Sequence, residues 1–191
     1  MTVNPAAQSE WLAYVTIRHL HASDLPALEW GGEYTHFRRL FQDAYEYARQ
    51  GHSLLWVADL QGQGVIGQLF VQLFSGRKEL ADGRERAYIY GFRIQPSYRR
   101  AGLGTHMLKI AEEELGELGY RTITLNVSQN NLDAKRLYEN LGYRVVASEP
   151  GKWSYVDHQG IRREMDEPAW RMEKKLMKLP AEQPGQDSIL R

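Results

Sequence analysis

The sequence predicts one α/β domain built on a mixed central sheet, antiparallel in its first half and βαβα in its second, flanked by helices. Three observations carry that prediction. Runs rich in β-branched and aromatic residues recur along the chain, at 14–20, 54–60, 65–74 and 86–94. Helical periodicity then alternates with further apolar runs from residue 99 onward. The connections at 119–121 and 141–143 are as short as strand–helix–strand packing requires.

Residues 1–10 are small and polar and read as a loose arm. The run 14–20 (YVTIRHL) is a strand, and Ser23, Asp24 and Pro26 behind it form a helix-start signal. A longer helix is expected over 33–49, where Tyr34, Phe37, Phe41, Ala44 and Ala48 recur at spacings of three and four until Gly51. The polar, glycine-containing turn 61–64 between two apolar runs reads as a hairpin. Polar residues 75–85 form a loop, and 86–94 (RAYIYGFRI) is the next strand. Residues 104–118 form an amphipathic helix with Leu108, Ala111, Leu115 and Leu118 on one face. A strand at 122–127 leads to a helix at 131–141, with Asn131 as its cap and Gly142 as its stop. Strands follow at 143–147 and 169–176, with one short strand at 152–157 in a polar, mixed segment. The tail 179–191 is expected to fray, which leaves 11–178 as the domain.

Composition narrows the functional classes. At 191 residues there is room for one domain. Lys+Arg and Asp+Glu both number 24, so no basic excess favours nucleic acid or an anionic membrane as a partner. The absence of cysteine removes disulfides, thiolate catalysis and cysteine-based metal sites. His19, His21, His52 and His158 lack metal-ligand spacing, so no metal is expected. The apolar runs fall short of a membrane span and the N-terminus lacks the pattern of a secretory signal, so a cytoplasmic location is expected.

The most informative stretch is Arg99-Arg100-Ala101-Gly102-Leu103-Gly104-Thr105, between an apolar strand and an amphipathic helix. Glycines permit a tight turn and close approach of a ligand, and the free N–H groups of the helix start favour an anion. Two arginines at that corner add charge-assisted bonds to phosphate oxygens. The expected ligand is a phosphate or pyrophosphate. The Walker pattern fails because Thr105 and His106 follow Gly104, and the dinucleotide fingerprint fails because Met107 stands where glycine is needed.

The stretch resembles the acyl-CoA pyrophosphate loop of the GNAT superfamily of N-acyltransferases, Arg/Gln-x-x-Gly-x-Gly/Ala, matched by Arg99, Gly102 and Gly104. The approach from Phe92 through Pro96 and Tyr98 is similar as well. A second family signature is matched by Asn131, Ala134, Leu137, Tyr138, Gly142 and Tyr143. The resemblance implies a GNAT-like fold with acetyl-CoA as acyl donor and an amine as acceptor. It implies that the backbone of Phe92 and Ile94 bonds the pantetheine arm. The amides of Arg100, Ala101, Gly102, Leu103, Gly104 and Thr105 would hold the pyrophosphate. Asn131 would bond pantetheine, cap its helix, or do both. Tyr138 matches the tyrosine that protonates the departing thiolate, with a core aromatic as the plainer alternative.

The chemistry so implied is direct attack of an amine on a thioester through a tetrahedral intermediate, with no protein nucleophile. A lysine-like amine of pKa ~10.4 is neutral in only about one molecule in 2,500 at pH 7, whereas an α-amine near ~8 faces a deficit of roughly 1 kcal/mol. Many family members carry a carboxylate on the central strand, where this chain has Tyr90 and Gly91. Tyr90 is a candidate proton relay, with a half-buried strand aromatic as the alternative; Glu33, His36 and Asn126 are further candidates for the proton path or for orienting the substrate. Glu33, Tyr34 and Phe37 are candidate acceptor-binding residues, and Trp153 and Tyr155 are candidate pocket walls or interface residues. The leading expectation is an N-acetyltransferase acting on a primary amine, and a transferase acting on peptide or protein N-termini is an alternative to it. A non-catalytic acyl-CoA-binding module is the rival, and a homodimer is possible by analogy with similar proteins.

Overall fold

Alternating apolar residues set most of the sheet. The computed structural model describes residues 10–177, so most of the expected arm and all of the expected tail lie outside the described residues. The strands are β1 (Val15–His19), β2 (Ser53–Leu60), β3 (Gly64–Gln72), β4 (Arg86–Ile94), β5 (Thr122–Ser128), β6 (Arg144–Glu149), β7 (Lys152–Val156), β8 (Arg162–Asp166) and β9 (Ala169–Lys175). The α-helices are α1 (Arg38–Arg49), α2 (Leu103–Glu117) and α3 (Leu132–Asn140). Seven strands form one sheet in the order β1-β2-β3-β4-β5-β9-β6, and β7 and β8 form a separate hairpin. Strands β1 to β4 pair antiparallel, β4 and β5 pair parallel, and β9 is antiparallel to both β5 and β6.

The two faces of the sheet bury different side chains. Trp56, Leu69, Ile89, Ile123 and Leu125 pack with Leu103, Met107, Leu108, Ala111 and Leu115 of α2. On the other face Leu55, Val57 and Phe70 pack with Phe37, Phe41 and Ala44 around α1. Each fully buried aliphatic side chain contributes about 1.5–3 kcal/mol, so this double core fixes the sheet. Among the described residues no helix is long and apolar enough to cross a membrane.

The structure corrects two expectations. The helix expected over 33–49 is α-helical only from Arg38. Before it, a 3-10 segment, Ala22–Gly32, is broken where Trp30 and Gly31 take φ of 44° and 68°, and a 3-10 turn, Thr35–Phe37, follows. Glu29 fixes this tight path, accepting from the Thr35 hydroxyl at 2.7 Å and from Arg38 Nε at 2.5 Å. The second correction is β8, where only one strand was expected in that polar segment. Its sequence, RREMD, has no apolar alternation to betray it. The Asp157 carboxylate builds the hairpin turn by accepting from the backbone N–H groups of Gln159 and Ile161, both at 2.9 Å, and from Arg163 at 2.8 Å.

Candidate active site

Strands β4 and β5 run together only from Arg86 opposite Thr122 to Ile89 opposite Leu125. Beyond that point Tyr90–Ile94 and Asn126–Ser128 have no partner on each other's strand. A bulge reinforces the parting: on β3, Phe70 faces Tyr90 and Gln68 faces Arg93, so Leu69 faces both Gly91 and Phe92. Gln68 Nε2 holds the bulge by donating to the Gly91 carbonyl at 3.0 Å. Two strand edges with unsatisfied backbone groups thus face a common gap, an arrangement that accepts an extended, amide-bearing chain.

The gap runs toward the N-terminus of α2. Gly102 caps that helix in the left-handed conformation, φ 93°, with nothing within 4 Å of the place a side chain would start. Gly104 is set by the opposite condition, since a Cβ there would sit 3.3 Å from Ile94 Cδ1 and 3.4 Å from Phe92 Cζ. The first glycine therefore leaves room in front of the helix and the second lets the helix lie against β4. Arg99 Nε donates to the Ile94 carbonyl at 2.7 Å, and Arg100 bridges to Asp133 at 2.5 Å. Both arginines at this corner are thereby engaged within the fold. Asn131 caps α3, its side chain accepting from Ala134 N–H at 3.1 Å.

On the α2 face of the gap lies Tyr138, buried on α3. Burial pushes its phenol well above the ordinary value of 10, and Tyr88 is close enough to add to the effect. The proton therefore stays on the oxygen across the neutral range. On the α1 face lie Tyr88 and Tyr90, stacked with centroids 6.2 Å apart. Burial raises each to about 12, while Ser53 beside Tyr90 and Asn126 beside Tyr88 oppose the shift. Tyr90 is thus a neutral phenol at pH 7 and not a base. Asn126 Oδ1 is buried without a hydrogen-bond partner among the described residues. Glu149 carries a carboxylate toward this face, but Arg77 at 2.8 Å and Arg171 at 3.0 Å hold it.

The aromatic residues expected to line a pocket come together at the mouth of this face. Phe37 lies 4.9 Å from Tyr155 and 6.5 Å from Trp153, centroid to centroid, which brings the β7–β8 hairpin against the turn before α1. Tyr34 stacks near Phe37 at 6.2 Å. Glu33 is exposed beside them. Phe37 is also a core residue, so wall and core are one side chain here. Two residues of this face were not singled out from sequence, Tyr88 and Arg93. The period-two pairing of Tyr88 with Tyr90, and a lone charge late in an apolar strand, were the available signals.

Parted parallel strands, a glycine turn at the following helix and a tyrosine beneath the gap define the fold class of acyl-CoA N-acyltransferases. The profile of the acetyltransferase (GNAT) family matches residues 15–143, and the chain belongs to that family. Ribosomal protein bS18-alanine N-acetyltransferase of Escherichia coli is 28% identical over 137 residues, covering 67% of this chain and 80% of that protein. The matches to relatives from Xenopus tropicalis and Bacillus subtilis span 50% and 56% of those proteins. Among solved structures, that E. coli acetyltransferase superposes with a TM-score of 0.65 at 21% identity, covering 90% of this chain and 99% of that one. The spermidine/spermine N-acetyltransferase SpeG of Vibrio cholerae gives 0.63 at 17% identity, covering 86% and 94%. The chain thus has the family and the fold of the GNAT acetyltransferases, and that fold is shared by relatives named for chemically different amines.

Proposed function

We propose that this chain moves the acetyl group of acetyl-CoA to a primary amine by direct attack of the neutral amine on the thioester carbonyl. The observation that carries this reading is the parting of β4 from β5 beyond Ile89 and Leu125, which opens onto the α2 N-terminus at Gly102. In this reading the backbone of Phe92 and Ile94 bonds the pantetheine arm, and the amides from Arg100 to Thr105 hold the pyrophosphate. Arg99 acts by fixing the Ile94 carbonyl, and Arg100 by tying the loop to α3. Tyr138 donates its proton to the departing thiolate, a role that suits a phenol whose pKa burial has raised.

The amine enters from the α1 face, between Tyr34, Phe37 and the β7–β8 hairpin. Asn126 Oδ1, a buried acceptor without a partner among the described residues, is placed to take an N–H from it. Tyr90 serves as a neutral relay through water. With no free carboxylate assigned as base, the reading favours an amine of which an appreciable share, about one in ten at pH 7, is already neutral. An α-amine of pKa ~8 is such a group and a lysine-like amine is not. That chemistry suits the N-terminus of a peptide, and the E. coli relative is named for an alanine of ribosomal protein bS18.

The test is thiol release from acetyl-CoA with a panel of α-amines and ε-amines, beside calorimetry of acetyl-CoA binding. Binding with turnover, faster for α-amines, supports the reading. Binding without turnover on any amine turns it into an acyl-CoA-binding module, and no binding overturns it.

A further inference from the structure

Arg93 sits near the end of β4, between the two residues assigned above to the pantetheine arm, and its side chain leaves the strand on the α1 face. Its ladder partner Gln68 is fully buried and spends its amide N–H on the Gly91 carbonyl. The Arg93 guanidinium carbon lies 4.6 Å from the centroid of the Tyr34 ring and 4.7 Å from that of Phe37. Among the described residues no carboxylate lies within ion-pair distance of it. Glu33 and Glu167, both exposed, are near enough to act on it only through space. Arg18, Arg38, Arg77, Arg86, Arg163 and Arg171 each hold a carboxylate at 3.0 Å or less, and Arg99 and Arg121, which hold none, donate to backbone carbonyls instead.

A part-buried guanidinium without a counter-ion is costly, and two aromatic faces offset only part of that cost. Burial pulls the group below its ordinary value, yet an arginine remains charged at neutral pH. The two rings lie against the planar fork, and its N–H groups make no hydrogen bond among the described residues. A fork held in that way matches the geometry of a carboxylate.

We propose that Arg93 recognises a carboxylate on the acceptor, so that the amine substrate also carries an anionic carboxyl group. The proposal rests on the transferase reading and names its substrate class. Glu33 and Glu167 flank the same mouth and favour the approach of the cationic form of the amine, which loses its proton before attack. The pyrophosphate end of acetyl-CoA belongs to the α2 N-terminus, so the anion at Arg93 is assigned to the acceptor. The aromatic turn before α1 has a second task in this account: it orients the cation that selects the substrate.

The experiment compares matched acceptors that differ only in a side-chain carboxylate away from the reacting amine, Ala-Asp-amide against Ala-Asn-amide and Ala-Glu-amide against Ala-Gln-amide. Steady-state rates are measured on the full chain and on Arg93→Gln and Arg93→Lys. A buried polar group left unpaired by the wrong substrate discriminates strongly, so kcat/KM should favour the carboxylate member of at least one pair by about tenfold or more. Arg93→Gln should abolish that preference through KM, Arg93→Lys should restore part of it, and calorimetry should find acetyl-CoA affinity unchanged in both. Equal rates within both pairs for the wild type overturn the proposal, as does an unaltered preference in Arg93→Gln, which would leave Arg93 as a brace for the aromatic turn. A loss of acetyl-CoA affinity with no change in acceptor KM reassigns the anion to the donor. If the wild type acetylates no amine, the transferase reading fails first and this one falls with it.

Discussion

The Tyr138 ring meets Tyr143 edge-on, with centroids 5.7 Å apart and planes at 63°. The two phenols differ in what they hold. Tyr143 donates to Glu112 Oε1 at 2.9 Å, and Glu112 also accepts from Lys174 at 2.5 Å. Tyr138 makes no side-chain hydrogen bond among the described residues. One ring ties α2 to the turn before β6, and the other is packed into the core on the α2 side of the sheet.

Replacing Tyr138 with Phe keeps the ring and its packing and removes only the hydroxyl. The expected outcome is a fall in kcat of about 100-fold, the lower end for loss of a general acid, with acetyl-CoA affinity and circular dichroism unchanged. Full activity in the variant at every pH would remove Tyr138 from the proposed mechanism.

Tyr143→Phe tests the brace. It leaves the buried Glu112 carboxylate one donor short, and a hydrogen bond to a charged group is worth about 1.5–3 kcal/mol. Urea unfolding should show a loss of that order without a change in the slope.

Gly102→Ala tests the loop. At φ 93° a Cβ strains the backbone, a cost of about 1–2 kcal/mol. The variant should melt earlier, and its affinity for acetyl-CoA should drop by about tenfold or more, because the chain relaxes away from the open side of the helix start. Calorimetry with acetyl-CoA and with free coenzyme A reads this directly.

The pH dependence follows from Tyr88 and Tyr90, each raised from 10 to about 12 by burial. The folded state keeps these protons longer than the unfolded chain does. Their contribution to stability is therefore whole below pH 10 and is lost as pH climbs from 10 through 12. Melting temperature measured from pH 8 to pH 11 should hold until about 10 and then decline. The rate profile should rise as the amine loses its proton and show no fall from tyrosine ionisation below pH 10.

Asn131→Ala should cost about 1 kcal/mol through loss of the α3 cap alone. A further fall in acetyl-CoA affinity beyond that stability change would assign Asn131 a contact with the donor as well.

Much of the fold was legible because the pattern that forms it is local. The run RAYIYGFRI reads as the strand it becomes, and Asn131 reads as the cap it is. Glycines at 102 and 104 announced the tight turn, since few other residues fit there. The departures have non-local causes. The chain from Tyr34 to Phe37 has helical spacing, yet Glu29 pulls it into 3-10 turns and its rings close on Arg93. The hairpin strand β8 is polar throughout and pairs only because Asp157 gathers its turn. Arg93 does not stand out in the sequence, because nothing there says which two rings lie against it.

The β7–β8 hairpin emerges between Glu149 and Ala169, which pair with each other across β6 and β9. Insertions, deletions or wholesale exchange of that appendage can therefore accumulate without disturbing a rung of the seven-stranded sheet. On the proposed reading, the walls of the amine's entrance can thus vary while the sheet that carries Arg93 and holds the donor stays as it is.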